Sequence, residues 1–404
     1  MKPKILSQTQ LLAKLPKEVK IIFKIFDSEI RLVGGAVRDL LLQKKVSDFD
    51  FATKFLPQEI IKILEKNKIK AVPTGIKYGA ITAVIKGRNF EITTLRKDNE
   101  TDGRYCDPEF VDDFALDAAR RDFTINALFL DAEGLVYDYF DGISDLKNKK
   151  VKFIGDANQR IKEDYLRILR FFRFSCKYGQ KLDKEGLMAC AGQRKNLQKL
   201  SKERIRSEFL KMLSCERQEN LIAILEVFKD KKIADEIFKE NLDIKALERL
   251  FEIEKKLKIT SSLNLKLAVL FLGKDFDLKI FTKEISATNL EKKYFQFLSL
   301  NHSEPCIDYL KQLLTDFDKD LVTDLYLFFL AKENDLKEIS EAKKTILFLQ
   351  KFSLPDFPLS GEDLIQLGFK GKELGDSIIR AKKFWSKNDF NLSKKALIKF
   401  LQNF

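Results

Sequence analysis

Arg31-Leu32-Val33-Gly34-Gly35-Ala36-Val37-Arg38-Asp39, followed shortly by Asp48-Phe49-Asp50-Phe51, is the stretch that decides how the chain folds. Arg31 to Val33 reads as a short strand, Gly34-Gly35 as a tight turn and Ala36 to Leu42 as a helix. Two glycines at such a turn put no Cβ in the way, so backbone amides at Gly35 can approach a phosphate closely, and Arg38 can hold the same anion. In the strand that follows, side chains alternate faces, so Asp48 and Asp50 project one way while Phe49 and Phe51 anchor the other face in a core. Adjacent like charges cost energy unless something positive sits between them. Two aspartates converging from one strand suit one or two magnesium ions carrying a nucleoside triphosphate. The spacing alone also fits an edge strand with two solvated aspartates.

Working outward, Ala80 to Ile85, a turn at Lys86-Gly87-Arg88-Asn89 and Phe90 to Thr94 read as a second strand pair. Glu91 points opposite to Phe90 and Ile92. It would be a third carboxylate beside the two aspartates, as a further metal ligand or as the group orienting an attacking hydroxyl; on pattern alone it could equally face solvent. Turn chemistry is concentrated in this half, since only Gly273, Gly361, Gly368, Gly371 and Gly375 of the 17 glycines follow Gly192. The rest reads as helix after helix, with short apolar stretches such as Leu221 to Phe228 and Thr345 to Gln350 among Lys/Glu-rich ones.

Composition narrows the chemistry. A chain of 404 residues with 45% apolar and 33% charged residues has room for two or three folded domains. Its longest apolar runs, such as Leu325 to Ala331, fall far short of the roughly 20 residues of a membrane span, and Met1 to Lys20 lacks the pattern of a secretory signal. The expected compartment is the cytoplasm. Cys106, Cys176, Cys190, Cys215 and Cys306 are odd in number and never in Cys-x-x-Cys spacing, which reads as reduced thiols rather than a disulfide framework or zinc ribbon. The only histidine, His302, sits in a loop-like stretch, so multi-histidine metal sites are excluded and a Ser-His-Asp triad could be built only around it. Chemistry must rest mainly on carboxylates, lysines, arginines and oxygen-ligated metals. The surplus of 74 Lys and Arg over 61 Asp and Glu, a net +13, suits a polyanionic partner such as nucleic acid, and equally fits compositional drift toward lysine.

The Gly34-Gly35-Ala36-Val37-Arg38-Asp39 and Asp48-x-Asp50 stretches resemble the signature of polymerase-β-type nucleotidyltransferases, specifically the class II tRNA nucleotidyltransferase and bacterial poly(A) polymerase family. Later stretches match the same family in order. Arg120-Arg121-Asp122-Phe123-Thr124-Ile125-Asn126-Ala127 is similar to its ribose-recognition motif, and Tyr139-Phe140-Asp141-Gly142-Ile143-x-Asp145-Leu146 to its head–neck hinge. Glu163-Asp164-Tyr165-Leu166-Arg167 through Arg170 and Arg173 resembles its base-selecting helix, and Ser201-Lys202-Glu203-Arg204-Ile205-x-x-Glu208 the neck motif that follows. One departure is Lys77-Tyr78-Gly79, where many relatives have a histidine.

The resemblance implies an α+β fold: a polymerase-β-like nucleotidyltransferase head with a mixed sheet over residues 1–145, a helical neck over 146–215 and an all-helical, tRNA-binding body and tail over 216–404. It implies catalysis by Asp48, Asp50 and Glu91, metal at Asp48 and Asp50, and nucleotide contacts from Gly35, Arg38, Arg121, Asp122, Asn126, Asp164, Arg167, Arg170 and Arg173. On the base-selecting helix that the resemblance implies, Asp164 and Arg167 stand three apart, side by side, and can form a rigid donor–acceptor fork. A carboxylate accepting from an amino group while a guanidinium donates to a ring nitrogen fits cytosine and adenine. Guanine and uracil would leave mismatched pairs costing about 1–3 kcal/mol each. The implied activity is template-independent addition of C, C and A to tRNA from CTP and ATP with Mg2+, without DNA or membrane. Arg96-Lys97-Asp98 to Phe110 resembles the flexible loop of full CCA enzymes and favours that activity over partial CC or A addition or poly(A) tailing. Outside the class, the alternative is an inactive RNA-binding protein. No His-Asp run suggests a fused phosphohydrolase.

Overall fold

The computed structural model describes residues 2–98, 108–239, 241–273, 276–300, 305–333 and 339–403. His302, Cys106 and most of the expected loop between Arg96 and Phe110 lie outside the described residues. The chain forms two compact units, Met1–Ile237 and Phe238–Phe404.

Among its described residues the first unit is built on ten strands: β1 (Lys4–Ser7), β2 (Ile30–Val33), β3 (Asp50–Thr53), β4 (Lys70–Gly75), β5 (Ala80–Ile85), β6 (Arg88–Thr94), β7 (Arg96–Asp98), β8 (Pro108–Phe110), β9 (Leu128–Leu130) and β10 (Leu135–Asp138). Eight of them form one sheet in the order β1-β10-β9-β2-β3-β6-β5-β4, and β7 pairs β8 in a separate ribbon that frames the expected loop. Every pairing in the large sheet is antiparallel except β3 with β6, which makes the sheet mixed, as the resemblance implies. The β5–β6 hairpin turns on Lys86 and Gly87, both at positive φ, the twist that two-residue hairpins favour. Arg88 and Asn89, expected in the turn, belong to β6.

Ten α-helices complete the described residues of this unit: α1 (Lys17–Phe26), α2 (Gly35–Leu41), α3 (Pro57–Lys66), α4 (Phe114–Ala119), α5 (Gly142–Lys147), α6 (Ala157–Glu163), α7 (Leu166–Tyr178), α8 (Lys184–Gln193), α9 (Lys202–Leu213) and α10 (Gln218–Asp230). The apolar stripes of α1, α2 and α3 cover one face of the sheet. There Phe23, Phe26, Val37, Ile60 and Leu64 join Leu32, Phe49, Phe51, Phe90 and Ile92 in one buried core. Because strand residues alternate, Asp50 and Glu91 lie on the opposite face, where Val33, Ala52, Ala118 and Phe129 form a smaller core.

An aromatic cluster joins the sheet layer to the helices that follow. Phe123 packs against Phe153 at 4.9 Å and Phe174 at 5.4 Å between ring centroids, and Phe153 stacks on Phe171 at 5.5 Å. On the next face of α7, Phe172 meets Phe228 of α10 edge-on, so α10 packs with the first unit, beyond the neck end expected near residue 215.

The second unit is helical throughout its described residues: α11 (Ile244–Leu257), α12 (Leu263–Phe271), α13 (Leu278–Glu284), α14 (Asn289–Leu300), α15 (Ile307–Leu313), α16 (Lys319–Lys332), α17 (Ile339–Lys351), α18 (Gly361–Gln366), α19 (Gly371–Lys387) and α20 (Lys394–Gln402). Its last three helices close around Trp385, Leu364, Ala381, Leu397 and Leu401. Among the described residues no helix is long and apolar enough to cross a membrane.

Candidate active site

The Gly34-Gly35 turn follows β2 as the sequence predicts. Gly34 has φ of 70°, and its N–H donates to the Leu128 carbonyl of β9 at 3.0 Å, which pins the turn to the sheet. A Cβ on Gly34 would stand 3.4 Å from Arg121 Nη1, and one on Gly35 would stand 3.4 Å from Arg38 Nη2. Two guanidinium groups therefore flank a turn whose backbone is open to close approach. Arg38 is only 5% exposed. Its Nε donates to Asp39 at 2.9 Å, its Nη1 donates to Asn126 Oδ1 at 2.5 Å, and its guanidinium lies 4.0 Å from the Tyr178 ring centroid. The Arg38–Asp39 pair is thus a buried strut. Tyr178 donates to Asp39 at 3.0 Å, and burial pushes its phenol up.

Asp50 opens β3 directly opposite Glu91 of β6 in the one parallel pairing of the sheet. Asp48 does not share the strand: it lies just before β3, exposed, with Ser47 donating to its carboxylate at 2.8 Å. The expected alternation is present, with Asp48 and Asp50 exposed and Phe49 and Phe51 buried, but the strand itself begins only at Asp50, with Glu91 in register and Asp48 in the approach to it. Loss of hydration, then the Glu91 charge, pushes the Asp50 carboxyl up to about 6; Arg121 works against that shift and Asp48 adds to it. Carboxylates that repel one another beside an open face fit a divalent cation. Among the described residues no three acidic, histidine or cysteine groups close into a cage, so a magnesium ion here would keep positions for water and phosphate oxygens, as it commonly does.

Arg121 is held by Asp117, a residue the sequence reading missed. Asp117 is 1% exposed and accepts from Arg121 Nη2 at 2.8 Å and from Arg120 Nε at 2.8 Å. Burial opposes its charge, but the two guanidiniums outweigh it and hold the carboxyl below the usual range. Its positions three and four before the arginines were the available signal.

Asp122, Thr124 and Asn126 lie in a tight turn with a single 3-10 loop at Thr124–Asn126. Asn126 Nδ2 donates to Asp122 Oδ1 at 3.0 Å, and Arg170 donates to Asp122 Oδ2 from Nε at 2.7 Å. The result is one continuous polar chain, Arg38–Asn126–Asp122–Arg170, from the glycine turn to α7. Asp122 is fully enclosed, which opposes its charge, yet Arg170, Asn126 and the Phe123 N–H hold its carboxyl down.

The expected base-selecting helix is broken. α6 ends at Glu163, Asp164 is extended at φ −152°, and α7 starts at Leu166. The Asp164 carboxylate accepts from the Leu166 N–H at 3.1 Å and its carbonyl from the Arg167 N–H at 3.0 Å. A short carboxylate that captures a backbone N–H starts a new helix instead of continuing the old one. The Asp164–Arg167 fork is therefore not a pair on one helix, and neither residue bonds the other's side chain. Arg167 Nη1 donates to Glu163 at 2.5 Å and to the Arg160 carbonyl at 2.8 Å, while Asp164 pairs with Arg204 of α9. Arg167, Arg170 and Arg173 form one ridge of α7, and Arg173 donates to buried Glu208 at 2.6 Å. Arg204 and Glu208 carried no assigned role in the sequence; their partners are far away in the chain.

Lys77-Tyr78-Gly79 forms a 3-10 turn ending at Gly79, whose φ is 81°. A Cβ there would meet the Phe110 ring at 2.8 Å, so glycine lets the β7–β8 ribbon pack against this turn.

Comparison with known proteins fits this geometry. A family model described as "Poly A polymerase head domain" matches residues 30–152, and one described as "Probable RNA and SrmB- binding site of polymerase A" matches residues 179–241. The chain is similar to the zebrafish (Danio rerio) protein named CCA tRNA nucleotidyltransferase 1, mitochondrial, at 34% identity over 94% of this chain and 88% of that one. It is 36% identical to the human protein of the same name, over 96% of this chain and 89% of that one. Among solved structures, the Bacillus stearothermophilus CCA-adding enzyme in complex with CTP has a similar fold, with a TM-score of 0.75 at 22% identity over 96% of each chain.

Proposed function

The chain belongs to the CCA tRNA nucleotidyltransferase family, and from that premise we propose that it is a template-independent enzyme adding C, C and A to the 3′ end of tRNA from CTP and ATP. The observation that carries the reading is the connected site. Carboxylates in the β3–β6 pairing face the sheet's open side, the glycine turn is flanked by two guanidiniums, and a single polar chain runs from Arg38 to α7.

In this reading the triphosphate lies along the Gly34-Gly35 turn, with Gly35, Arg38 and Arg121 opposing its charge. Asn126 and Asp122 hold the ribose, and Arg170 and Arg173 brace that side from α7. Asp164 and Arg167 read the base edge, each from its own anchored position rather than as a helical pair. The RNA 3′ oxygen bonds to the α-phosphorus, the bond to the bridging oxygen breaks and pyrophosphate leaves, while the hydroxyl proton passes to solvent. Glu91, in register with Asp50, orients that hydroxyl or shares in holding a cation in this reading. The family is one of metal-dependent nucleotidyltransferases, and Mg2+ held by Asp48 and Asp50 would supply the Lewis acid that activates the hydroxyl and neutralises the leaving pyrophosphate. A two-metal arrangement is part of this proposal.

The boundaries we propose are a catalytic head over residues 1–145, a neck from 146, and a helical body and tail that bind tRNA through phosphates and A-form shape. DNA and membrane have no role in it. Cys176, Cys190, Cys215 and Cys306 are unbridged, which fits a reducing compartment, and the cytoplasm is the one proposed.

The test is extension of a labelled tRNA ending at its discriminator base, with magnesium, CTP and ATP, resolved to single nucleotides. A product ending in C, C, A and stopping there supports the proposal. A stop after C, C, or an A added only to tRNA already ending in C, C, makes it a partial enzyme. A long ladder with ATP alone makes it a poly(A) polymerase, and no extension with RNA binding intact makes it a binding protein. Asp48→Ala is expected to abolish incorporation while RNA binding survives.

A further inference from the structure

The stretch Ser201 to Glu208, which opens α9, has no part in the mechanism above, yet two of its side chains reach Asp164 and Arg173. Arg204 and Glu208 lie four apart, so they share a helix face. Arg204 Nη2 stands 3.0 Å from both carboxylate oxygens of Asp164, and Glu208, 4% exposed, accepts from Arg173.

The acceptor arithmetic at Asp164 gives the first contact a purpose. A carboxylate oxygen can accept about two hydrogen bonds. Oδ1 takes the Leu166 N–H and Arg204, whereas Oδ2 takes only Arg204 among the described residues, so one acceptor position on Oδ2 remains. On the neighbouring side, Arg167 spends both Nη1 hydrogens on Glu163 and the Arg160 carbonyl and one Nη2 hydrogen on the Arg120 carbonyl, 3.2 Å away. Its Nε–H and one Nη2 hydrogen remain. A fixed open acceptor and an open donor are what an amino group beside a ring nitrogen requires.

We propose that Arg204 is a positioning residue for base selection: by bridging both oxygens of Asp164 with one nitrogen, it fixes the carboxylate so that the open position on Oδ2 meets the amino group of cytosine or adenine. Arg204 does not touch the base. The terminal torsion of an aspartate is soft, so without the bridge the carboxylate turns and no longer penalises a base that presents a carbonyl there. Discrimination should fall while the triphosphate contacts, made from the glycine turn, persist. The inference rests on the nucleotidyl-transfer reading.

Calorimetric binding of CTP and of UTP with magnesium, to the wild-type protein, Arg204→Gln and Arg204→Lys, tests it beside the tRNA extension assay. The wild type should prefer CTP. Arg204→Gln should cut the CTP-to-UTP affinity ratio about tenfold, the size of one charge-assisted hydrogen bond, with UTP bound no more weakly than by the wild type. Arg204→Lys should keep most of the ratio, because one ammonium nitrogen can make the same bridge. An unchanged ratio in Arg204→Gln, or equal loss of both nucleotides, overturns the proposal; collapse in Arg204→Lys as complete as in Arg204→Gln overturns the one-nitrogen geometry. If the wild type fails to extend tRNA but the ratio still collapses in Arg204→Gln, the transfer reading falls and the role of Arg204 stands. If the wild type binds CTP and UTP alike, the role of Arg204 falls.

Discussion

Asp50 stands opposite Glu91 across the only parallel strand pair of the large sheet, and the two carboxylates share its open face. Lost hydration and the Glu91 charge raise the Asp50 carboxyl to about 6. Its folded value lies above the unfolded one, so ionised Asp50 destabilises the metal-free fold above pH 6, and that penalty disappears as pH falls toward 4. Asp50→Asn should therefore raise the melting temperature at pH 7.5 by about 2–4 °C. That corresponds to roughly 1 kcal/mol once solvent screening at this open position is allowed for. The gain should shrink at pH 5, and added magnesium should stabilise the wild type but not the variant. Equal melting of the two proteins at pH 7.5 in EDTA would show that the carboxylates do not repel as described.

The Asp122–Arg170 pair is the enclosed link of the polar chain. Removing one partner leaves an uncompensated buried charge, so Arg170→Met should destabilise the first unit by about 3 kcal/mol, whereas Asp122→Asn combined with Arg170→Met should recover much of that loss. The folded Asp122 carboxyl lies below its unfolded value, so its contribution is present above about pH 4 and is lost as pH falls through the lower folded value. In Arg170→Met burial pushes the uncompensated carboxyl up instead, so the deficit relative to the wild type should shrink as pH falls and the group takes up its proton. Denaturant titrations of the four proteins at pH 7.5 and 4.5 check both signs; additive effects would dissolve the link.

The strand–turn–helix at Gly34 and the alternation of Phe90, Glu91 and Ile92 were legible because each depends on residues a few positions apart. The site's partners were not, because Arg38 and Asn126 are 88 residues apart and Arg173 and Glu208 are 35 apart, and no local period relates them. The break at Asp164 was hidden for a different reason. The apolar period runs smoothly from α6 into α7, and only the capture of the Leu166 N–H by one carboxylate interrupts it. Asp117 was readable in principle from its spacing to Arg120 and Arg121, but a helical Asp–Arg pair usually marks a solvated face, whereas this one is buried on a helix whose Phe114 and Ala118 join Phe129 in the smaller core.

Gly142, in the expected hinge motif, packs against the turn that carries Asn126. A Cβ at this position would lie 2.2 Å from the Thr124 carbonyl oxygen and 2.8 Å from its carbon, both backbone atoms that cannot step aside. Gly142→Ala should cost at least about 2 kcal/mol and weaken nucleotide binding by shifting Asn126 and Asp122. Gly192→Ala, in α8 with nothing within 4 Å of the added Cβ, should instead stabilise the protein by roughly 0.5–1 kcal/mol. Thermal melts of both variants decide whether crowding at Gly142 or backbone freedom in general sets the cost.

Asp117 reaches the chemistry only through Arg121. It is 1% exposed, fixes both Arg120 and Arg121, and Arg121 in turn opposes the upward shift of Asp50 and stands beside the Gly34 turn. Asp117→Asn keeps the shape but removes the charge that pins two guanidiniums, so Arg121 is free to leave the turn. The single-turnover rate of nucleotide addition should fall about 100-fold, the usual cost of misplacing a positioning group, while the affinity for tRNA changes little. Arg120→Gln removes the other tether of the same carboxylate and should leave the rate within a few-fold of wild type, because Arg121 still has its partner. Equal losses in the two variants would mean that Asp117 supports the helix as a whole and not Arg121 in particular.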